Sequence, residues 1–314
     1  MEHQYHISSS PHIRDTLTTN KIMQYVILAL LPTTLFGVVY FGLDAVILLV
    51  LTIGSTVFFE YFYEKILHLP ITIKDGSAFL TGLLLAINLP VSAPWWIGIL
   101  GGAFAIVVVK MLFGGLGQNF MNPALGARCF LVISFTSYMT DFSYDAFSGA
   151  TPLAELKTDG ILSSFDLMDL FVGTIPGTIG ETSVIAILLG AAFLVYKKVI
   201  RLTIPVSILV SFSAFILLFG SSSLDIHYLL CQLCSGGIML GAWFMATDYV
   251  TSPISDQGRI IFGIIIGLLI GIFRIFGASS EGVSYAIIFA NLLVPLIDKI
   301  SIPKPFGKGG PKNG

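Results

Sequence analysis

The chain has 314 residues, of which 55% are hydrophobic and 11% charged. A water-soluble domain carries about 25% charge, so this sequence cannot cover its own surface in water, and the class that remains is a polytopic membrane protein. A net charge of −2 implies no basic nucleic-acid surface, and three cysteines give no disulfide framework.

Residues 1–21 form a polar tail without an apolar h-region. The first apolar segment is therefore expected to direct insertion itself. A spanning helix needs about 20 mostly apolar residues, and ten segments qualify: 22–41, 44–64, 77–92, 95–114, 119–138, 182–197, 202–220, 225–245, 259–277 and 281–298. The third is short and closes on Pro90, which suits a broken helix.

Basic residues set the expected orientation. With the N-terminus inside, thirteen collect on that side: Arg14, Lys21, Lys65, Lys74, Lys110, Lys197, Lys198, Arg201, Arg259, Lys299, Lys304, Lys308 and Lys312. Lys157 and Arg274 alone fall outside. The interval 139–181 is then external and acidic, with Asp141, Asp145, Glu155, Asp159, Asp166, Asp169 and Glu181. It reads either as a solvated loop or, given its length, as a functional one.

The chain resembles itself. Gly76, Ala86 and Asn88 match Gly236, Ala246 and Asp248 at an offset of 160, and Gly98 and Gly102 match Gly263 and Gly267 at 165. "GQNF" at 117–120 matches "GVSY" at 282–285. The matched third and eighth segments run in opposite directions, the pattern of inverted repeats, whose sites lie on broken helices near the midplane. The expected fold is thus all-α and polytopic, with about ten transmembrane helices as two inverted five-helix repeats. Residues 1–21 and 299–314 are cytoplasmic tails, 22–138 and 182–298 the repeats, and 139–181 the external loop. The glycines at small-xxx-small spacing read as close helix packing.

Four polar residues stand at membrane depth. Arg128 in "NPALGARCFLVISF" should face the interior and pair with a carboxylate, a carbonyl or a ligand phosphate, or else snorkel to a helix end. Asn119 and Asn122, three apart, suit a ligand edge with alternating donors and acceptors, or helix capping by Asn119. Asp248 in "FMATDYVTSP" is a turn carboxylate or a ligand-facing group at a half-helix end. Cys231 and Cys234 have metal-ribbon spacing without a second pair, so they read as buried core residues and no metal site is assigned.

In the external loop, "SGATPL" at 148–153 with Asp145 upstream looks like the flavinylation motif, in which a threonine hydroxyl is esterified to the phosphate of FMN. "KDGSAFLTGLLLAINLPVSAPWW", "FGGLGQNFMNPALGARCFL" and "GGIMLGAWFMATDYVTSP" resemble the D-type family of Rnf complex subunits, part of the membrane ferredoxin:NAD oxidoreductase, from about residue 20 to 300. The B-type component of the sodium-translocating NADH:quinone oxidoreductase shares "SGATPL" and "NF-x-NPA" but has a longer N-terminus.

The resemblance implies covalent FMN on Thr151, with Ser148, Gly149 and Ala150 small enough for a flavin transferase to close over the loop and Asp145 positioning the hydroxyl or recognised by that enzyme. It implies a second, noncovalent flavin such as riboflavin near Asn119 and Asn122, with Arg128 and Asp248 assigned to that flavin or to an ion path. It further implies the other Rnf subunits (A, B, C, E and G) as partners, the bacterial cytoplasmic (inner) membrane with both termini cytoplasmic, and transfer of electrons from ferredoxin to NAD coupled to outward movement of Na⁺ or H⁺. No side chain is assigned as catalytic, since the cofactors carry the chemistry. The B-type quinone-reductase component is one rival reading. A urea-transporter-like channel is another, because inverted five-span repeats also resemble those proteins.

Overall fold

A computed structural model describes residues 17–144, 151–158, 165–220, 225–277 and 282–301. Among these residues the fold is all-helical, without a named strand. The helices are α1 (Thr19–Phe41), α2 (Leu43–Ile66), α3 (Ser77–Ile87), α4 (Trp95–Ala103, continued by Phe104–Lys110 and Met111–Phe113), α5 (Pro123–Ser134), α6 (Thr136–Met139), α7 (Pro152–Thr158), α8 (Leu167–Val172), α9 (Val184–Tyr196), α10 (Thr203–Phe219), α11 (Ile226–Cys234), α12 (Ile238–Leu240, continued by Gly241–Met245), α13 (Asp256–Phe276) and α14 (Val283–Ser301).

Five of these, α1, α2, α4 with its continuation, α13 and α14, are long and apolar enough to cross a membrane. A sixth candidate is the pair α11 and α12, bent by 69°. α3, α5, α9 and α10 are apolar but shorter, at 11, 12, 13 and 17 residues. Several apolar helices of this kind make a multi-pass membrane protein.

Local chemistry explains where the elements depart from the expected segments. The expected third segment, 77–92, is helical only to Ile87; Asn88 then caps its own last turn, donating from Nδ2 to the Leu84 carbonyl (2.6 Å). The expected fifth, 119–138, begins at Pro123, because Asn122 Oδ1 accepts the N–H groups of Ala124 (3.1 Å) and Leu125 (3.4 Å) and proline takes the first helical position. The expected eighth, 225–245, breaks at Ser235–Gly237. Gly236 has φ +66°, and a Cβ there would stand 3.0 Å from Leu153 Cδ2.

Glycine stripes hold two helix pairs together. A Cβ at Gly98 or Gly102 on α4 would lie 2.3 Å from Thr52 Oγ1 or 2.1 Å from Ser55 Oγ on α2. On α13, Gly263 would meet Ser207 Cβ at 2.6 Å, and Gly267 would meet Ser211 Oγ at 2.0 Å and the Ile208 carbonyl at 2.5 Å, both on α10. The α10 backbone cannot yield as a side chain would. Gly267→Val is therefore expected to lose about 1–3 kcal/mol or more, read as a lower melting temperature of the purified protein; an unchanged melt would refute the close-packing account.

Buried charge pairs among the described residues include Lys110 with Glu60 and Arg128 with Glu181. Lys110 Nζ donates to Glu60 Oε2 (2.6 Å) and to Ser77 Oγ (2.6 Å). Arg128 Nη1 donates to Glu181 Oε1 at 2.8 Å. Their side chains are all less than a tenth exposed, so each pair replaces lost hydration with a direct charge-assisted bond.

Candidate functional site

Among the concave sites of the described residues, two hold residues singled out by the sequence, one at the start of α3 and the other beside α7. The first is a pocket whose empty space, open solvent included, is about 800 Å³. Its polar lining comes from Ser77 and Thr81 on α3, Lys110 at the end of the α4 continuation, Asn119 and Asn122 ahead of α5, and Thr247 and Asp248 past α12. Leu80, Leu84, Leu116, Leu194 and Phe244 supply apolar walls. A mostly apolar cleft with a few convergent polar groups is the usual form of a small-molecule site.

Asn119 and Asn122 do share this cavity, but from a loop and not from one helical face. Asn119 lines the cavity, and its Nδ2 donates to the Met121 carbonyl (3.0 Å). Asn122, and not Asn119, is the helix cap; its Nδ2 also reaches the Met245 carbonyl (3.5 Å) at the end of the bent helix. Asp248 accepts from the Val250 N–H (3.3 Å) and from Thr251 Oγ1 (3.2 Å), which turns the chain and holds the carboxylate at the cavity. Asn291 on α14 completes the support: its amide donates to the Thr251 carbonyl (3.1 Å) and accepts from the Asn122 N–H (3.3 Å).

Arg128 does not line this cavity. It sits further along α5, where Nη1 reaches Glu181, Asn88 Oδ1 (2.9 Å) and Ser284 Oγ (3.3 Å). This joins α5 to the end of α3, to α14 and to the segment before α9. That segment is drawn inward by backbone bonds, from Gly180 N–H to the Ile87 carbonyl (2.8 Å) and from Ile179 N–H to the Leu89 carbonyl (3.1 Å).

The second site is a small cleft, about 320 Å³ of empty space with open solvent included, lined by Thr151, Pro152, Leu153, Ile175, Pro176, Gly177, Glu181, Thr182 and Gly236. Thr151 starts α7, and its Oγ1 accepts the Ala154 N–H at 3.3 Å. Leu153 and Leu156 are buried and fasten α7 to the body. Lys157 fastens its other end by donating to the Gly277 carbonyl at the end of α13. Burial pulls the Lys157 ammonium below its ordinary pKa. Asp145, Ser148, Gly149 and Ala150 lie outside the described residues.

Arg274 backs this cleft. Charge counting puts it among exposed external cations, but in the fold it is 4% exposed, donates to the Gln232 and Ser235 carbonyls, and lies 4.9 Å over the Phe212 ring. Cys231 lies 3.7 Å from His227 Nδ1, and among the described residues no three His, Cys, Asp or Glu side chains gather as a metal site.

Sequence reasoning misses Glu60, Asn88, Thr182, Ser284 and Asn291. The signal for Glu60 is present, since a carboxylate inside "TVFFEYF" stands at membrane depth. Asn88 and Ser284 carry a signal in the internal repeat, which pairs them with Asp248 and Asn119; none distinguishes Thr182 and Asn291.

A model of the NQR2, RnfD, RnfE family matches residues 6–307. The chain belongs to this family. Among its relatives is the D component of the Na(+)-translocating ferredoxin:NAD(+) oxidoreductase complex of Acetobacterium woodii, 46% identical over 307 residues, covering 96% of this chain and 95% of the relative. The D component of the proton-translocating ferredoxin:NAD(+) oxidoreductase complex of Clostridium ljungdahlii is 42% identical, covering 96% of each chain. The D component of the ion-translocating oxidoreductase complex of Stutzerimonas stutzeri is 39% identical, covering 93% of each.

Proposed function

We propose that this chain is the D-type membrane subunit of an ion-translocating ferredoxin:NAD oxidoreductase, carrying FMN covalently on Thr151 and a second, noncovalent flavin such as riboflavin in the cavity at the start of α3. The observation that carries the subunit assignment is identity of 46% across nearly the whole chain with a relative of that name. Relatives named for Na⁺ and for H⁺ are alike at 46% and 42%, so the coupling ion is left as either.

The flavin assignments rest on fit. Thr151 lines a cleft that also holds a buried hydroxyl, Thr182, without a partner among the described residues. The larger cavity offers amide and carboxylate groups against apolar walls, as a flavin ring edge requires. Flavins supply the one- and two-electron chemistry. The protein's part is to bind, orient and exclude water. Asn119 and Asn122 would meet ring acceptors and donors, Leu80, Leu84 and Phe244 would cover its faces, and Thr151 Oγ1 would carry the phosphoryl ester.

Asn119→Leu is the clean test of the cavity, because Asn122→Leu also removes the α5 cap, worth about 1 kcal/mol. Asn119→Leu should lower noncovalent flavin per complex with the covalent flavin intact. Unchanged flavin stoichiometry would move the site elsewhere.

We further read the ten helical segments as ten crossings in two inverted halves, in the bacterial cytoplasmic membrane with both termini inside. The bent α11–α12 runs toward the cavity from which α3 sets out, which supports opposed repeats. The other subunits of the complex (A, B, C, E and G) are the expected partners, and a flavin transferase acts from outside. A cysteine at the exposed Thr140 should react with an impermeant thiol reagent in intact cells, and one at the exposed Lys65 should not, in a background lacking Cys129, Cys231 and Cys234. The reverse pattern would overturn the orientation.

A further inference from the structure

Thr182 carries a hydroxyl that packing does not explain. It is 1% exposed, lines the Thr151 cleft, and its Oγ1 is buried without a hydrogen-bond partner among the described residues. Buried hydroxyls are nearly always paired, and leaving one unpaired costs free energy. The start of α9 does not need it: the adjacent Ser183 accepts the Ala186 N–H (3.4 Å) as the helix cap. Nor is its position loose, since the backbone bonds of Ile179 and Gly180 to the end of α3 fix the segment that carries it.

The neighbouring groups define what this hydroxyl faces. Glu181, in the same cleft, is engaged by Arg128 at 2.8 Å. Behind the Gly236 edge stands a buried cation: a Cβ at Gly236 would lie 3.3 Å from Arg274 Nη2. A cleft with an unused O–H donor and a guanidinium behind its wall suits an acceptor-only, anionic group. A phosphodiester on Thr151 is such a group. It is bonded directly to Thr151 Oγ1, so its oxygens stay beside Thr151, which lines the cleft. The flavin ring, a ribityl chain away, can leave it.

We propose that Thr182 Oγ1 donates a hydrogen bond to a non-bridging oxygen of the phosphodiester on Thr151, with Arg274 supplying positive potential from behind Gly236. Thr182 is then a positioning residue for the covalent carrier. It fixes the root of a flexible linkage and so limits where the flavin can reach. This rests on the reading that Thr151 carries FMN.

The test uses the purified complex with Thr182→Val, which keeps shape and branching, and Thr182→Ser, which restores the hydroxyl. Peptide mass spectrometry first measures the adduct on Thr151. Phosphorus NMR then follows the threonyl phosphodiester in the folded and denatured states. The expected result is full adduct in all three proteins, with the folded-state resonance of the valine variant shifted toward its denatured position and that of the serine variant matching the wild type. A valine spectrum identical to the wild type, with the adduct present, would overturn the role of Thr182 alone, as would loss of the adduct in both variants. Absence of any adduct on wild-type Thr151 would overturn the flavinylation reading and this proposal with it.

Discussion

Thr151→Val is expected to abolish the flavin fluorescence of this subunit after denaturing electrophoresis, from full signal to background, while the complex still assembles. Valine keeps the β-branch and removes the oxygen that the ester requires. Its structural cost is small. In the fold that oxygen accepts one N–H, from Ala154 at 3.3 Å, and losing such a cap costs about 1 kcal/mol. α7 remains fastened by Leu153, Leu156 and Lys157. Thr151→Ser should keep part of the label, because a primary hydroxyl forms the same ester. Electron flow to NAD should fall steeply in the valine variant, since no side chain bridges the gap left by a missing carrier. The proposed noncovalent flavin should survive, because none of the residues lining the cavity at the start of α3 lines the Thr151 cleft. Undiminished fluorescence in the valine band would defeat the assignment and make Ser148 the next residue to replace.

The helices themselves were legible because long apolar runs leave few alternatives. The segment expected at 22–41 is Thr19–Phe41, and that at 44–64 is Leu43–Ile66. The break after the third segment was legible at Pro90, but the one inside the eighth was not. "LLCQLCSGGIMLGAWFM" reads as one apolar segment, yet it bends at Gly236, against which Leu153 and Arg274 pack from α7 and α13. Chain-distant contacts also hid Glu181. Its neighbours in sequence are those of a solvated acidic loop. Backbone bonds from Ile179 and Gly180 to the Leu89 and Ile87 carbonyls nevertheless carry it into the core, at 5% exposure.

Counting charges for orientation suffered from the same blindness. Lys110 and Arg274 are buried, at 2% and 4% exposure, and so say little about the side on which they lie. Removing one from each side leaves twelve against one, and the bias stands. For the site, residue type and spacing picked out Asn119, Asn122 and Asp248, which the fold gathers at one cavity. Spacing misassigned the helix cap, because the proline that follows Asn122 starts the helix later than the apolar run does.

Arg128→Leu is the second large effect, and it separates a buried ion pair from an ordinary packing residue. The substitution leaves Glu181, 5% exposed, without its cation, and takes donors from Asn88 Oδ1 and Ser284 Oγ as well. Breaking a buried pair from one side typically costs about 3–5 kcal/mol, because an uncompensated charge stays behind. The purified complex should melt well below the wild type. The double variant Arg128→Leu with Glu181→Leu removes both charges and should recover much of that loss, since apolar replacement of a whole buried pair is often neutral. The difference between the double variant and the sum of the singles is the coupling energy. A double variant no more stable than Arg128→Leu would mean that Arg128 acts through Asn88 and Ser284, at the end of α3 and on α14, and not through Glu181. Recovery would instead place the weight on the Glu181 carboxylate, the group through which this buried network reaches the Thr151 cleft.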